Sequence, residues 1–159
     1  MSDLPTAVRP PGRIEIQVDS HPANVAAVRR AVETFVIACG FDQPTSEQIG
    51  LCLNEAFANV IRHAYDGRTD RQVRIAVECV GDGVQLSLRD WGSGQVPPPP
   101  PPPDLRDPLL PGGLGTICLK ELMDEVTYLP QDDGMLLTML RRKPIASAPD
   151  RPEKPSDNT

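Results

Sequence analysis

The 159-residue chain lacks several features that mark particular classes of protein. No apolar run approaches the roughly 20 residues of a membrane span, and the N-terminal stretch has no hydrophobic signal region. Positive charge is scarce: 16 lysines and arginines against 22 acidic residues give a net charge of −6. A nucleic-acid-binding protein usually presents a basic surface. We therefore expect a cytoplasmic protein that binds neither nucleic acid nor a membrane directly.

The chain also has few of the residues that build metal and redox sites. It contains only two histidines, and its four cysteines form no CxxC pair. Each cysteine lies in an apolar stretch, which predicts buried free thiols rather than metal ligands or disulfides. The four are Cys39, Cys52, Cys79 and Cys118.

The chain does contain clear periodic segments. Alternating apolar and polar residues predict strands, and apolar residues three and four apart predict helices. In chain order we expect a strand at 14–18, helices at 22–39 and 46–65, strands at 72–80 and 84–90, a helix at 114–124, and strands at 125–129 and 134–141. Thr45 or Ser46 is the expected cap of the second helix. This order favours an α+β fold, a two-layer sandwich whose sheet is mixed but mainly antiparallel, with the helices on one face.

Proline marks the parts that lie outside this pattern. Residues 1–12 read as a flexible N-terminal segment, and the proline-rich, polar residues 143–159 as a disordered tail. Residues 91–113 have no periodicity and include seven consecutive prolines, Pro97 to Pro103. We therefore expect one domain at 13–142 that is interrupted by a long loop.

A polar face of the second helix is the first candidate site. Glu55, Asn59, Arg62 and His63 recur at helical spacing, away from the apolar stripe. The amide oxygen of Asn59 is a suitable ligand for Mg²⁺, and Glu55 is placed to orient or deprotonate a hydroxyl that faces a phosphate. An ordinary solvated helix face would give the same pattern, and the helix alone does not decide between the two.

Asp90 is the second candidate, because it ends a strand whose same-parity residues are all apolar. A carboxylate aimed at a core needs a hydrogen-bond donor. Asp90 either caps its own loop or accepts from a ligand amino group, such as the exocyclic amine of adenine. Gly92 and Gly94 follow, and their lack of side chains permits a flat ring to approach the backbone closely.

A glycine-rich segment that opens into a helix is the third candidate. Gly112-Gly113-Leu114-Gly115 presents backbone N–H groups at a helix start, which suits an anion. It is neither a P-loop nor a dinucleotide-binding fingerprint, because it lacks GKS or GKT and no strand immediately precedes it. A flexible hinge with tight helix packing is the other interpretation.

Together, and in this order, the three motifs resemble those of the GHKL ATPases, whose ATP-binding domain has the Bergerat fold. The segment from Glu55 to Tyr65 resembles the N-box, Asp90 to Gly94 the first glycine box, and Gly112 to Gly115 the second. Leu122-Met123-Asp124-Glu125-Val126 is similar to the small bacterial members that act as anti-sigma-factor serine kinases, the RsbW-like group. The resemblance covers about residues 13–142 and implies an ATP lid at about 91–113.

The resemblance implies roles for individual residues. Glu55 would be the catalytic base and Asn59 the ligand of Mg²⁺. Relatives often place a threonine near Leu136 that contacts the adenine base, so either this polar contact is missing here or Thr138 supplies it. Gln95 and the prolines replace the usual start of the lid. The implied ATP-binding residues are Asn59, His63, Asp90, Gly92, Gly94, Gly112, Gly113, Leu114, Gly115 and Thr138.

The resemblance also implies a biological role. The chain would be an ATP-dependent serine/threonine kinase and anti-sigma factor, phosphorylating a STAS-domain anti-anti-sigma protein, binding a sigma factor and forming a homodimer. Self-phosphorylation on histidine is not expected, since His63 lies within the N-box and His21 is the only other histidine. Two alternatives stay open: an ATP-binding interaction module without significant kinase activity, and a partner-switching kinase that controls a target other than a sigma factor.

Overall fold

The computed structural model describes residues 12–98 and 119–145, and its strands form one sheet in the order β1-β2-β3-β5-β4. Every pair of neighbouring strands is antiparallel. The predicted α+β sandwich is therefore confirmed, although the described sheet is antiparallel throughout rather than mixed. The strands are β1 (Arg13–Asp19), β2 (Gln72–Val80), β3 (Gly83–Asp90), β4 (Glu125–Gln131) and β5 (Gly134–Arg142).

The helices cover one face of this sheet. A 3₁₀ turn at Pro22–Asn24 leads into α1 (Val25–Ala38), and α2 (Gln43–Asn59) continues through a π-helical turn at Val60–Ala64. The described part of the last helix is α3 (Leu119–Leu122). The apolar stripes of α1 and α2 and the inward rows of the strands form one buried core, which includes Val32, Val36, Ile49, Leu53, Phe57, Val73, Ile75, Val77, Leu86 and Leu88.

The start of α2 differs from the prediction, because Asp42 rather than Thr45 or Ser46 is the N-cap. The Asp42 carboxylate accepts a hydrogen bond from the backbone N–H of Thr45 at 2.9 Å. Ser46 is fully buried, and its hydroxyl donates to the Glu33 carbonyl at 3.0 Å. Ser46 thus joins α2 to α1 instead of capping α2.

The expectation of free thiols is wrong for two cysteines. Cys39, just after α1, forms a disulfide with Cys79 of β2, across a Cα–Cα distance of 6.1 Å that suits such a bond. Their separation of 40 residues hid the pairing from a local pattern. Cys52 is free and buried, and burial raises the pKa of its thiol to about 12. Cys118 lies outside the described residues.

Several expectations concern residues that the structure does not describe. These are the N-terminal segment up to residue 11, residues 99–113 of the expected lid, the glycine segment 112–115, the first part of the third helix, and the tail from residue 146. Within residues 12–98 and 119–145, no helix is long and apolar enough to cross a membrane.

Candidate functional site

A pocket lies between the end of α2 and the end of β3. Asn59 and His63 reach it from the helical side and Asp90 from the sheet, while Gln95 and Pro97 of the following loop close it further. The structure therefore brings Asn59 and His63, which are one helical turn apart, together with the distant Asp90. The complete lining is Ala56, Asn59, Val60, His63, Ala64, Leu88, Asp90, Gln95, Pro97, Tyr128, Met135 and Leu137.

Asp90 is the buried acceptor at the sheet end of this pocket. Its residue surface is only 4% exposed, and one carboxylate oxygen accepts the backbone N–H of Gly92 at 2.9 Å. Burial raises the pKa of Asp90, opposed by the hydrogen bond from Gly92 and by the charge of Arg89. Asp90 does cap its own loop, as one interpretation held. A carboxylate has about four lone-pair sites, so the backbone N–H groups of Gly92 and Met135 leave capacity for a ligand donor.

The glycines after Asp90 serve the packing of the loop. A Cβ on Gly92 would lie 2.3 Å from the carbonyl oxygen of Ala64, so only glycine lets the loop rest on the π-helical turn. The N–H of Ser93 donates to the same carbonyl at 3.2 Å. Gly94 has a φ of +71°, a left-handed conformation that favours glycine. Neither Gly92 nor Gly94 is among the residues that line the pocket.

Glu55 and Asn59 do not form a plain solvated face. The Glu55 side chain is only 11% exposed, and Asn59 lines the pocket. One guanidinium nitrogen of Arg62, Nη2, donates to Asn59 Oδ1 at 2.9 Å and lies 3.4 Å from Glu55 Oε1. Burial raises the pKa of Glu55, and the charge of Arg62 opposes that rise. A raised pKa moves a carboxylate toward the range that a general base needs.

Tyr65 positions the loop that follows Asp90, a role the sequence did not reveal. It comes directly after the π-helical turn, a feature often found at functional sites. Its buried hydroxyl donates to the backbone carbonyl of Gln72 and accepts the backbone N–H of Trp91 at 2.8 Å. The residue next to Asp90 is therefore fixed to both α2 and β2, which holds the Asp90 carboxylate at the pocket.

The last two strands contribute differently from the prediction. Thr138 does not line the pocket, whereas Met135 and Leu137 do. Side chains alternate between the faces of a strand, so Thr138 points to the opposite face from Leu137. Tyr128, Met135 and Leu137 were missed as site residues, although the inward parity of β5 would have identified two of them. Gly112, Gly113, Leu114 and Gly115 lie outside the described residues.

Comparisons with known proteins agree with this geometry. Residues 18–141 match the histidine kinase-like ATPase domain family. The chain is 24% identical over 137 residues to the serine-protein kinase RsbW of Listeria innocua, covering 81% of this chain and 86% of that protein. It is 29% identical over 143 residues to RsbW of Halalkalibacterium halodurans, covering 84% and 85%.

A solved structure shows the same fold. The crystal structure of the RsbU and RsbW domains of Rv1364c from Mycobacterium tuberculosis matches with a TM-score of 0.59 at 19% identity. The match covers 83% of this chain and 32% of that longer one. The motifs, the pocket and the family match over residues 18–141 lead to one conclusion: the chain belongs to the histidine kinase-like ATPase domain family and is similar to the RsbW serine-protein kinases.

Proposed function

We propose that this protein is an ATP-dependent serine/threonine protein kinase and anti-sigma factor of the partner-switching type. The observation that carries the proposal is the buried Glu55 one helical turn before Asn59, with Asp90 on the opposite side of the pocket that Asn59 lines. A domain that only held ATP would have no need of a buried carboxylate beside the residue that faces the phosphates. The phosphoacceptor would be a STAS-domain anti-anti-sigma protein.

Asp90 is proposed to recognise the adenine base. Its buried carboxylate is an acceptor for the exocyclic amine, and Leu88, Met135 and Leu137 supply the apolar walls that a flat ring needs. The enclosed space is about 20 Å³, enough for one or two water molecules. Base binding therefore requires Gln95 and Pro97, which lie in the proposed lid, to move outward.

Asn59 is the residue that would hold Mg²⁺. Its Oδ1 is an oxygen ligand of the kind Mg²⁺ prefers, and in phosphoryl-transfer sites most other ligands are phosphate and water oxygens. Among the described residues, no group of three or more His, Cys, Asp and Glu side chains could hold a metal unaided. A single amide oxygen suits a cation that arrives with the nucleotide. Bound there, Mg²⁺ would neutralise charge on the phosphates.

Arg62 and Glu55 are proposed to act at the phosphate end. Arg62 donates to Asn59 Oδ1, so its guanidinium must leave that oxygen before the oxygen can serve as a metal ligand. The Arg62 side chain is 46% exposed and has room to swing. Its departure also removes the charge that lowers the pKa of Glu55. Glu55 then becomes a better base for the acceptor hydroxyl.

Labelled ATP, Mg²⁺ and a candidate STAS-domain protein test the kinase proposal directly. We expect transfer of the labelled phosphoryl group to a serine or threonine of that protein. Tight ATP binding without transfer to any candidate acceptor would refute the kinase activity while leaving ATP binding intact. Pull-down of native partners would show whether the target is a sigma factor, and sedimentation would test the proposed homodimer.

The second candidate is an ATP-binding interaction module without significant kinase activity. The run of seven prolines that begins at Pro97 favours it, because this sequence departs from the usual start of the ATP lid. Asn59→Ala discriminates between the two. Regulation in cells that survives the loss of productive Mg²⁺-ATP binding would favour the module.

A further inference from the structure

A cationic and aromatic cluster lies on the face of the sheet that points away from the helices. Arg74 of β2 and Arg89 of β3 are register partners on that face. Their guanidinium carbons lie 5.2 and 4.7 Å from the centroid of the Trp91 ring, within cation–π range. The Trp91 residue is 37% exposed. Two guanidinium groups therefore lie against Trp91, and part of this aromatic residue is still accessible to solvent.

Beside this ring runs a groove of about 360 Å³, which we call the Trp91 groove. It crosses the ends of β1 and β2, and its lining includes Gln17, Asp70, Arg71, Arg74 and Trp91. β1 is an edge strand of the described sheet. The groove therefore lies beside an open sheet edge, where an extended segment of a partner protein can reach it.

Two arginines of the groove have donors to spare. The guanidinium of Arg71 makes no hydrogen bond or ion pair with any residue in the described ranges. Arg74 forms an ion pair with Glu15 through its buried Nε at 3.4 Å, and its terminal Nη1 and Nη2 atoms make no hydrogen bond with a described residue. Arg89, by contrast, is occupied, because it donates to Asp133 and to the Asp90 carbonyl. Unused guanidinium donors beside an aromatic ring suit a planar anion.

We propose that the Trp91 groove binds an acidic segment of a partner protein. The chain carries a net charge of −6, so a local cluster of arginines with unused donors is a specific feature rather than general surface charge. Carboxylates match the planar fork of arginine, and the Trp91 ring would cover the apolar part of a glutamate side chain. Asp70 also lies in the lining. Its negative charge repels a single carboxylate of a peptide less than it repels a doubly charged phosphate.

Intrinsic fluorescence tests this proposal, because Trp91 is the only tryptophan in the chain. The probe is a short glutamate-rich peptide with blocked ends, compared with a lysine-rich peptide of equal length and with inorganic phosphate. We expect a saturable change of Trp91 emission with the glutamate peptide alone, weakened by added salt. This readout is independent of the proposed kinase function, so it succeeds or fails separately from phosphoryl transfer.

Matched arginine substitutions locate the binding. Arg71→Ala and Arg74→Ala should each weaken the peptide about tenfold, the factor that corresponds to one lost charged contact. Arg30→Ala makes the same charge change on the exposed surface of α1 and should leave the affinity unchanged. If Arg74→Ala does not fold, Arg74→Lys replaces it in the affinity measurement, because lysine keeps the charge but lacks the planar guanidinium. In Trp91→Phe, binding is followed by anisotropy of a labelled peptide.

Four outcomes would overturn the proposal. If Trp91 emission does not respond to the glutamate peptide, the proposal is wrong. If Arg30→Ala weakens the peptide as much as Arg71→Ala does, the peptide binds through the overall charge of the protein rather than in the groove. Saturation by inorganic phosphate at the same affinity would make the groove a phosphate site instead. A fluorescence change that follows protein concentration without peptide would mean that a second copy of this chain covers the groove.

Discussion

Replacing Asp90 with asparagine should weaken ATP binding and stabilise the fold at the same time. Asn keeps the shape, and its amide oxygen still accepts the N–H of Gly92. The amide nitrogen then faces the adenine amine, donor against donor. A hydrogen bond to a charged group contributes about 1.5–3 kcal/mol. We therefore expect the Kd for ATP to rise about 10- to 150-fold.

Although Asp90→Asn weakens ATP binding, it should stabilise the fold, because the native fold buries a charge at Asp90. Burial raises its pKa in the folded state, so folding favours the protonated form. The contribution of Asp90 to stability is therefore full below its ordinary unfolded pKa and is lost as pH rises through the raised folded pKa. Asp90→Asn is neutral throughout. Its Tm should exceed that of the native chain near pH 7, and the difference should vanish in acid.

Calorimetric ATP titration and thermal unfolding at several pH values measure the two effects. Asp82→Asn is the matched control, because Asp82 is exposed in the turn between β2 and β3. It should change neither quantity. The reasoning about Asp90 is refuted if Asp90→Asn binds ATP as tightly as the native chain. A lowered Tm near pH 7 would mean that the charged carboxylate stabilises the fold instead.

Three further predictions concern catalysis and stability. Glu55→Gln should slow phosphoryl transfer about 10²- to 10⁴-fold in single-turnover assays while ATP affinity stays near native; native transfer would remove Glu55 as the base. Gly92→Ala should lower the free energy of unfolding in urea by about 1–3 kcal/mol, because its Cβ would lie 2.3 Å from a backbone oxygen. The control Gly12→Ala, whose Cβ would have nothing within 4 Å, should be nearly neutral. Reducing the Cys39–Cys79 disulfide, which spans 40 residues, should cost about 4 kcal/mol; an unchanged urea midpoint would contradict its presence.

Most of the fold could be predicted from the sequence. The strand at 72–80 has its predicted bounds, and the one at 84–90 differs by a single residue. Their period of two and the Gly81-Asp82-Gly83 turn are local signals that short-range sterics impose. The π-helical turn after Asn59 was not predictable, because a single widened turn is too short to leave a periodicity of its own in the sequence.

The candidate site was predictable only in part. Asn59, His63 and Asp90 were found as motif residues, and the pocket brings them together. Thr138 was assigned to the pocket, but strand parity places it on the other face. The roles proposed for Glu55, Asn59 and Asp90 stay predictions until ATP binding and transfer are measured.

The sequence by itself determined where the helices and strands lie and which residues form the motifs on α2 and at the end of β3. Tertiary structure alone decided which distant groups meet: Cys39 with Cys79, Tyr65 with the loop after Asp90, and Arg74 with the Trp91 ring. The reason is physical. Periodicity records which side of an element is buried, whereas contacts between residues tens of positions apart depend on how the elements pack, and local patterns do not record that packing.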